Sequence, residues 1–402
     1  MKSFKSVVIL LACSFFTSTV LAAKKNNNND YLQWAITIAN SEIKHNPELW
    51  QADFVKKPKW GYTQGLIAYS MTKLYLTTKD SSYFNYVKKF ADLFINNKGE
   101  ILTYTLDKYN IDNINGGKFL FDMYNITNEE KYLKALQLLR TQIEKHPRTK
   151  IGVFWHKKIY ENQVWLDGLY MGAPFYAQCV KELKEPVANY NDVAKQLILG
   201  DSVTLDRTTG LNFHAWDESR LQKWSNPETG HSPHFWGRSM GWYMMAMVDV
   251  LDFLPKNHPQ RKQIIANLNR LTKALANYQD KQTGMWYQVT DLGGKEGNYV
   301  ESSCTAMYIY AIAKGINKKY LDKDFKTVVQ KAYCGMIANA TQVNEDGTTS
   351  ITKACSVAGL GGNPYRDGSY EYYIREPIRN DDPKVIGPFI LASLEMNKLC
   401  KK

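Results

Sequence analysis

Two kinds of segment alternate along this chain. In one kind nearly every position is apolar: LIAYSMTKLYLTT after Trp60–Gly65, KFLFDMYNIT after Asp112–Gly117, LYMGAPFYAQCVKEL after Trp165–Gly168, WYMMAMVDVLDFL after Trp236–Gly241, AMYIYAIAKGI after Glu301–Thr305 and FILASLEMNKL after Val385–Pro388. In the other kind apolar residues recur every three or four positions with Lys, Arg and Glu between them, as in SSYFNYVKKFADLFI, EEKYLKALQLLRTQIEK and HPQRKQIIANLNRLTKALANYQ. A helix that is apolar all round has to be buried all round, whereas an amphipathic one can form an outer wall. About six such alternations predict an inner ring of helices inside an outer ring, an all-α (α/α)6 barrel in a single domain over residues 35–402. A small residue opens most inner segments, which predicts close helix approach near the axis. Strand signals are weak: GMWYQVTD and the Tyr370–Ile374 stretch read as short hairpin pieces at a rim.

The N-terminus reads differently. Lys2 and Lys5 precede an apolar run from Val7 to Phe16, and Val20-Leu21-Ala22-Ala23 supplies small residues for cleavage. Residues 1–22 are therefore expected to be an export signal, too short to span a membrane, with the protein periplasmic or secreted. Leu11-Ala12-Cys13 faintly resembles a lipoprotein signal, but the apolar run before Cys13 is short. Residues 23–34 contain KKNNNND and are expected to be a polar tether. No later stretch reaches 18 consecutive apolar residues, so no membrane span is expected.

Composition adds a direction. With 44% hydrophobic and 22% charged residues in 402, the chain can bury a large core. Aromatics reach 13%, including 26 Tyr and 10 Trp, which suits stacking on sugar rings as well as a helical core. The formal charge is +12, or about +10 without Lys2 and Lys5. A basic balance fits nucleic acid, a membrane surface or an anionic ligand. Export, and the lack of any Lys/Arg run or nucleic-acid motif, disfavour nucleic acid; an anionic oligosaccharide fits both export and charge, and a lysine-rich solvated surface fits the charge at least as well. Cys179, Cys304, Cys334, Cys355 and Cys400 are widely spaced with no C-x-x-C, so no zinc site of ordinary spacing is expected and most are read as buried thiols.

Every inner helix but the last begins with a polar or aromatic cluster: Trp60/Tyr62/Gln64, Asp112/Asn113/Asn115, Trp165/Asp167, Trp236/Arg238 and Glu301. In a ring these converge on one mouth, where helix N-termini favour anions. Any one of the acids could be a helix cap instead. Asp112 and Asp167 stand out as a carboxylate pair of the kind that cleaves glycosides. Asp167 lies between Trp165 and Tyr170, and an aromatic environment can keep an acid protonated. Phe154-Trp155-His156-Lys157 and Phe213-His214-Ala215-Trp216-Asp217-Glu218-Ser219-Arg220 are further candidate pieces. Gly237-Arg238-Ser239-Met240-Gly241 matches G-x-S-x-G, but the loop before it, rich in Pro and His, argues against a nucleophile elbow, which needs a strand there.

The ordered series F-W-H-K, W-L-D-G-L-Y-M, H-A-W-D-E-S-R and F-W-G-R-S-M-G-W-Y, with D-N-I-N-G-G and E-S-S, resembles the unsaturated rhamnogalacturonyl hydrolases of glycoside hydrolase family 105 over about residues 35–398. The resemblance implies an (α/α)6 barrel, no metal and no organic cofactor. It implies removal of a 4,5-unsaturated galacturonyl residue by hydration of its double bond. Asp167 matches the family's acid/base and Asp112 its second aspartate. His214, Trp236, Arg238 and Trp242 fall on substrate-binding positions, with Arg238 suited to the uronate carboxylate and the two tryptophans to stacking. His156, Lys157, Trp165 and Tyr62 are expected to line the same pocket. The competing readings are an unsaturated glucuronyl hydrolase, a sugar epimerase on the same fold and a noncatalytic glycan-binding protein. Oligomeric state and aglycone preference are not legible.

Overall fold

The computed structural model describes residues 30–401. The expected export signal, and the tether up to residue 29, lie outside the described residues. The tether ends sooner than expected. Asp30 caps a helix beginning at Tyr31, its carboxylate accepting the Gln33 N–H at 3.1 Å. Tyr31, Trp34, Ala35 and Ile38 repeat at helical spacing and are buried, so this segment belongs to the fold.

Along the chain come α1 (Tyr31–His45), α2 (Tyr62–Thr78), α3 (Ser81–Phe94), α4 (Asp112–Asn115), α5 (Leu120–Thr127), α6 (Glu130–Lys145) and α7 (Leu166–Glu182). They are followed by α8 (Asn189–Thr204), α9 (Gly237–Val250), α10 (Arg261–Asn277), α11 (Ser302–Asn317), α12 (Lys326–Ala340), α13 (Tyr370–Arg375) and α14 (Pro383–Cys400). Helices α2, α4 with α5, α7, α9, α11 and α14 form the inner ring. Each packs against the next, and α14 closes back onto α2. Helices α1, α3, α6, α8, α10 and α12 form the outer ring.

The two rings differ in the way their patterns require. All fourteen residues of α9 are buried, so no face of it is free for solvent. Outer helix α3 buries Tyr83, Tyr86, Val87, Phe90, Ala91 and Phe94 and exposes Lys89 and Asp92. Each such large apolar side chain contributes about 1.5–3 kcal/mol on burial. Close approach is realised where α2 meets α4: a β-carbon on Gly65 would stand 2.5 Å from the Gly116 Cα.

Among the described residues four antiparallel two-stranded ribbons lie between helices: β1 (Gln163–Trp165) with β2 (Ala215–Asp217), β3 (Trp286–Tyr287) with β4 (Val300–Glu301), β5 (Thr341–Val343) with β6 (Thr349–Ile351), and β7 (Ala354–Cys355) with β8 (Ile378–Arg379). GMWYQVTD supplies β3 as expected. Tyr370–Ile374 does not form a strand but helix α13, capped by the Ser369 hydroxyl, with Tyr370 and Tyr373 buried on one face. Among the thiols, Cys179, Cys304 and Cys355 are buried, Cys334 is half-buried and Cys400 exposed.

One buried acid makes stability depend on pH. Burial raises the Glu42 carboxyl from 4.5 to about 8, the Asn46 amide opposing and Asp381 and Asp382 adding to the rise. Between those values the folded chain holds a proton that the unfolded chain lacks, so this contribution to stability falls as pH rises through that window. Glu42→Gln is expected to raise Tm at pH 8 by about 2–4 °C and to leave it unchanged at pH 4, as melts at the two pH values will show.

Candidate active site

Short ladders assemble the site. Trp165 pairs with Ala215 in the β1–β2 ribbon, and the Leu166 N–H donates to the His214 carbonyl at 3.1 Å. This places His214 Nε2 3.3 Å from Asp167 Oδ2. A second set of bonds serves Asp112. Asn110 bridges to Lys157, the Ile111 N–H donates to the His156 carbonyl, and the His156 N–H donates to the Gln163 carbonyl. His156 Nε2 thereby reaches Asp112 Oδ1 at 3.2 Å, and Lys157 Nζ reaches Oδ2 at 2.7 Å. Trp165 links the two halves: its ring lies parallel to His156 at 4.8 Å and edge-on to His214 at 5.3 Å.

Neither aspartate is a cap. Ile111 and Trp165 occupy the cap positions of α4 and α7, and neither aspartate accepts a bond from its helix backbone among the described residues. Glu301 shows the contrast, because its carboxylate accepts the Ser303 and Cys304 N–H groups at 3.1 and 2.7 Å. The cap reading therefore holds for Glu301 and fails for the pair.

The two carboxylates are electrostatically unequal. Burial alone would raise the Asp112 pKa, but Lys157 and His156 outweigh it and hold the group well below the usual carboxylate range. Lys157 is desolvated too, yet Asp112 raises its pKa. The two therefore form an ion pair throughout the neutral range, and Asp112 has no proton to give. Asp167 has no lysine or arginine within ion-pair distance among the described residues, and its one charged-group neighbour there is His214. Burial lowers the His214 pKa, with Asp167 opposing, which favours the neutral ring.

Tyr373 then sets the tautomer. Its hydroxyl lies 2.8 Å from His214 Nδ1, and burial raises the phenol pKa far enough that it keeps its proton. With the phenol as donor to Nδ1, the imidazole proton sits on Nε2, facing Asp167, which is the tautomer that suits a carboxylate on that side. Asp167 Oδ2 is buried, so the 14% exposure of the side chain lies on its other atoms. Sequence reasoning missed Tyr373, because it reaches His214 from 159 positions away on a segment read as a strand.

The other expected residues divide. Tyr62 is half-buried and lines a cavity of about 240 Å³ with Trp60, Asn110, Asp112, Asn113 and Lys157. Trp236 and Trp242, expected to stack on sugars, are each 1% exposed. Trp242 lies parallel to Tyr170 at 4.9 Å, and Trp236 packs on His214 at 4.7 Å and Tyr373 at 6.2 Å. Both brace the site's walls and present no open ring face. From H-A-W-D-E-S-R only His214 reaches the pair. Asp217 is buried and closes a turn through Ser219 and Gln222, and Glu218 accepts the Lys150 N–H. Ser239 is buried with its hydroxyl donating to the Trp236 carbonyl at 2.8 Å, and a loop precedes it, so it is no nucleophile elbow.

Arg238 is placed differently from the expectation that it faces an anion. It is 1% exposed and forms an ion pair with Glu301 at 3.4 Å. Its Nε–H donates to Ser303 Oγ at 2.7 Å, Nη1 to the Ser356 carbonyl at 3.2 Å and Nη2 to the Cys355 carbonyl. The guanidinium thus ties the start of α9 to α11 and to the β7 segment. Arg238→Lys keeps the charge but leaves buried acceptors unmet, at a cost of about 1–3 kcal/mol. A lower Tm is expected, with KM changed less than about threefold, to be checked by melting curves beside kinetics.

Residues 17–400 match the model of Glycosyl Hydrolase Family 88. A solved family 105 glycoside hydrolase from C. acetobutylicum is 46% identical, with a TM-score of 0.87 over 90% of this chain and 99% of that one. The chain is a family 88/105 glycoside hydrolase. Among curated relatives, the unsaturated rhamnogalacturonyl hydrolase YesR of Bacillus subtilis is 24% identical over 330 residues, 80% of this hydrolase and 86% of YesR. Protein Atu3128 of Agrobacterium fabrum is 35% identical over 231 residues, 56% of this hydrolase and 97% of that protein. An unsaturated glucuronyl hydrolase from Bacillus sp. GL1, 13% identical, shares the fold with a TM-score of 0.66. The (α/α)6 barrel read from the repeat pattern is the architecture of this hydrolase, and its reaction class is that of the unsaturated uronyl hydrolases.

Proposed function

We propose that the hydrolase removes the nonreducing-end 4,5-unsaturated galacturonyl residue from lyase-generated rhamnogalacturonan oligosaccharides, by hydrating the C4=C5 double bond. The observation that carries this reading is the inequality of the pair: Asp112 is locked as an anion by Lys157 and His156, and Asp167 faces only a neutral imidazole. Asp167 supplies a proton to C4 of the vinyl ether. Its carboxylate then accepts a proton from the water that adds at C5, so one carboxyl serves as acid and base in turn. The His214 ring, 3.3 Å from Oδ2, keeps the carboxylate in place between the two steps, and the Asp112 charge favours the cationic character that develops at C5. The resulting C5 hemiketal opens by breaking its bond to the ring oxygen. The hemiacetal left at C1 then releases the next sugar.

Rhamnose as that next sugar is supported by YesR, which spans most of the chain. Disappearance of the ultraviolet absorbance of the unsaturated group tests the choice. With lyase-generated disaccharides, kcat/KM for unsaturated galacturonyl-rhamnose is expected to exceed that for unsaturated glucuronyl substrates by about tenfold or more. The opposite ranking would assign the enzyme to glycosaminoglycan-type fragments. No turnover of either would remove the hydrolase reading in favour of glycan binding.

A further inference from the structure

An anionic sugar entering the mouth meets few uncommitted cations. Lys157 is paired with Asp112, Arg238 with Glu301, and Arg379 and Lys384 with Asp53 and Asp382. Arg366, in the loop between β7 and α13, differs from these. Among the described residues no carboxylate lies within ion-pair distance of it. Glu376 feels its field from farther away, while burial favours the neutral form of that acid. The guanidinium is nevertheless held in place. Its Nε–H donates to the Gly361 carbonyl at 2.9 Å, and Nη2 donates to the Leu360 carbonyl and the Tyr160 hydroxyl, both at 3.1 Å. Nη1 has no hydrogen-bond partner among the described residues.

The anchor leads directly to the reacting groups. The Tyr160 ring lies parallel to Trp165 at 4.8 Å, and Trp165 touches His214. After burial and the aspartates, the Arg366 field is among the influences on both Lys157 and His214. The loop also makes room for the group: a β-carbon on Gly359 would stand 2.2 Å from Arg366 Nη1. A fixed, half-exposed guanidinium with no acid paired to it, linked through Tyr160 and Trp165 to the Asp167–His214 pair, is suited to an anionic ligand, because its charge and the two N–H bonds of Nη1 are uncommitted. Lys59, exposed at the edge of the cavity that holds Asp112, has no ion-pair or hydrogen-bond partner for its ammonium among the described residues, so nothing there holds it in position.

We propose that Arg366 grips the carboxylate of the unsaturated uronyl sugar and so sets the enzyme's demand for an acidic substrate. This assignment rests on the uronide reading above. The test compares the full chain with Arg366→Gln, Arg366→Lys, Gly359→Ala and Lys59→Gln on unsaturated galacturonyl-rhamnose and on its methyl ester, with melting curves for each. Arg366→Gln is expected to raise KM for the acid about 10–100-fold with kcat changed less than about threefold, and to leave KM for the ester near wild type. Arg366→Lys should recover part of the loss. Gly359→Ala keeps the charge but pushes the guanidinium off its anchor, so it should raise KM for the acid, with any fall in Tm no larger than that of Arg366→Gln. Unchanged KM for the acid in both Arg366→Gln and Gly359→Ala would overturn the assignment. So would an equal penalty on acid and ester, or a KM rise in Lys59→Gln instead. A wild type inactive on every unsaturated uronide would overturn the uronide reading and this assignment with it. An active wild type with indifferent Arg366 and Gly359 variants would overturn the assignment alone.

Discussion

Asp167→Asn is expected to lower kcat by about 10³-fold or more while leaving Tm within about 2 °C of wild type. The amide has nearly the shape of the carboxyl but can neither give the C4 proton nor take one back from water. The structural cost is small because Asp167 holds nothing together. Its Oδ2 faces His214 at 3.3 Å without a formed hydrogen bond, and it caps no helix. The Nε2–H of His214 can face an amide oxygen as readily as a carboxylate. Activity within tenfold of wild type would remove Asp167 as the proton donor.

Asp112→Asn should behave differently. A fall in kcat of about 10²–10³-fold is expected together with a measurable fall in Tm. The Asp112 carboxylate is the ion-pair partner of Lys157 at 2.7 Å and lies 3.2 Å from His156 Nε2. Removing one partner of a largely buried pair leaves the other charge uncompensated. Lys157 keeps about a quarter of its side-chain exposure, which moderates the cost to about 1–3 kcal/mol. The double variant Asp112→Asn/Lys157→Met separates the two effects. Tm should recover, since no charge is then stranded, and kcat should not. Recovery of both would reduce Asp112 to a structural counter-ion, and a silent Asp112→Asn would remove it from the site.

The fold was legible because each inner helix advertises its burial. A segment such as WYMMAMVDVLDFL has no polar face to turn outward, and its partner segments have exactly one apolar face each. The carboxylate pair was legible for the same reason, since a ring of helices brings their starts together wherever they stand in the chain. What the sequence could not show is how each side chain is committed once there. Arg238 between two tryptophans reads as an anion ligand, yet Glu301, 63 positions later, takes its charge. Trp236 and Trp242 read as platforms, yet Tyr373 and Tyr170 pack against them. Tyr373 carried no signal because its partner is remote and its helix has only six residues, too few for a period to emerge. Arg366 sits in a Gly-rich loop, where its meaning comes from the absence of an acid nearby and from the rings below it. Patterning reports burial well, whereas pairing between distant side chains depends on register that only the folded chain supplies.

The central claim is that the enzyme hydrates a double bond and does not displace the aglycone at C1. An unsaturated galacturonyl thioglycoside, with sulfur in place of the scissile oxygen, separates the two directly. Displacement at C1 needs protonation of the leaving atom, which sulfur accepts poorly, whereas hydration begins at C4 and C5 and leaves that bond for the end. Turnover of the thioglycoside, followed by loss of the unsaturated group's absorbance, is expected to fall within about tenfold of the oxygen-linked substrate and to vanish in Asp167→Asn. An inert thioglycoside beside a fully active oxygen glycoside would contradict the account.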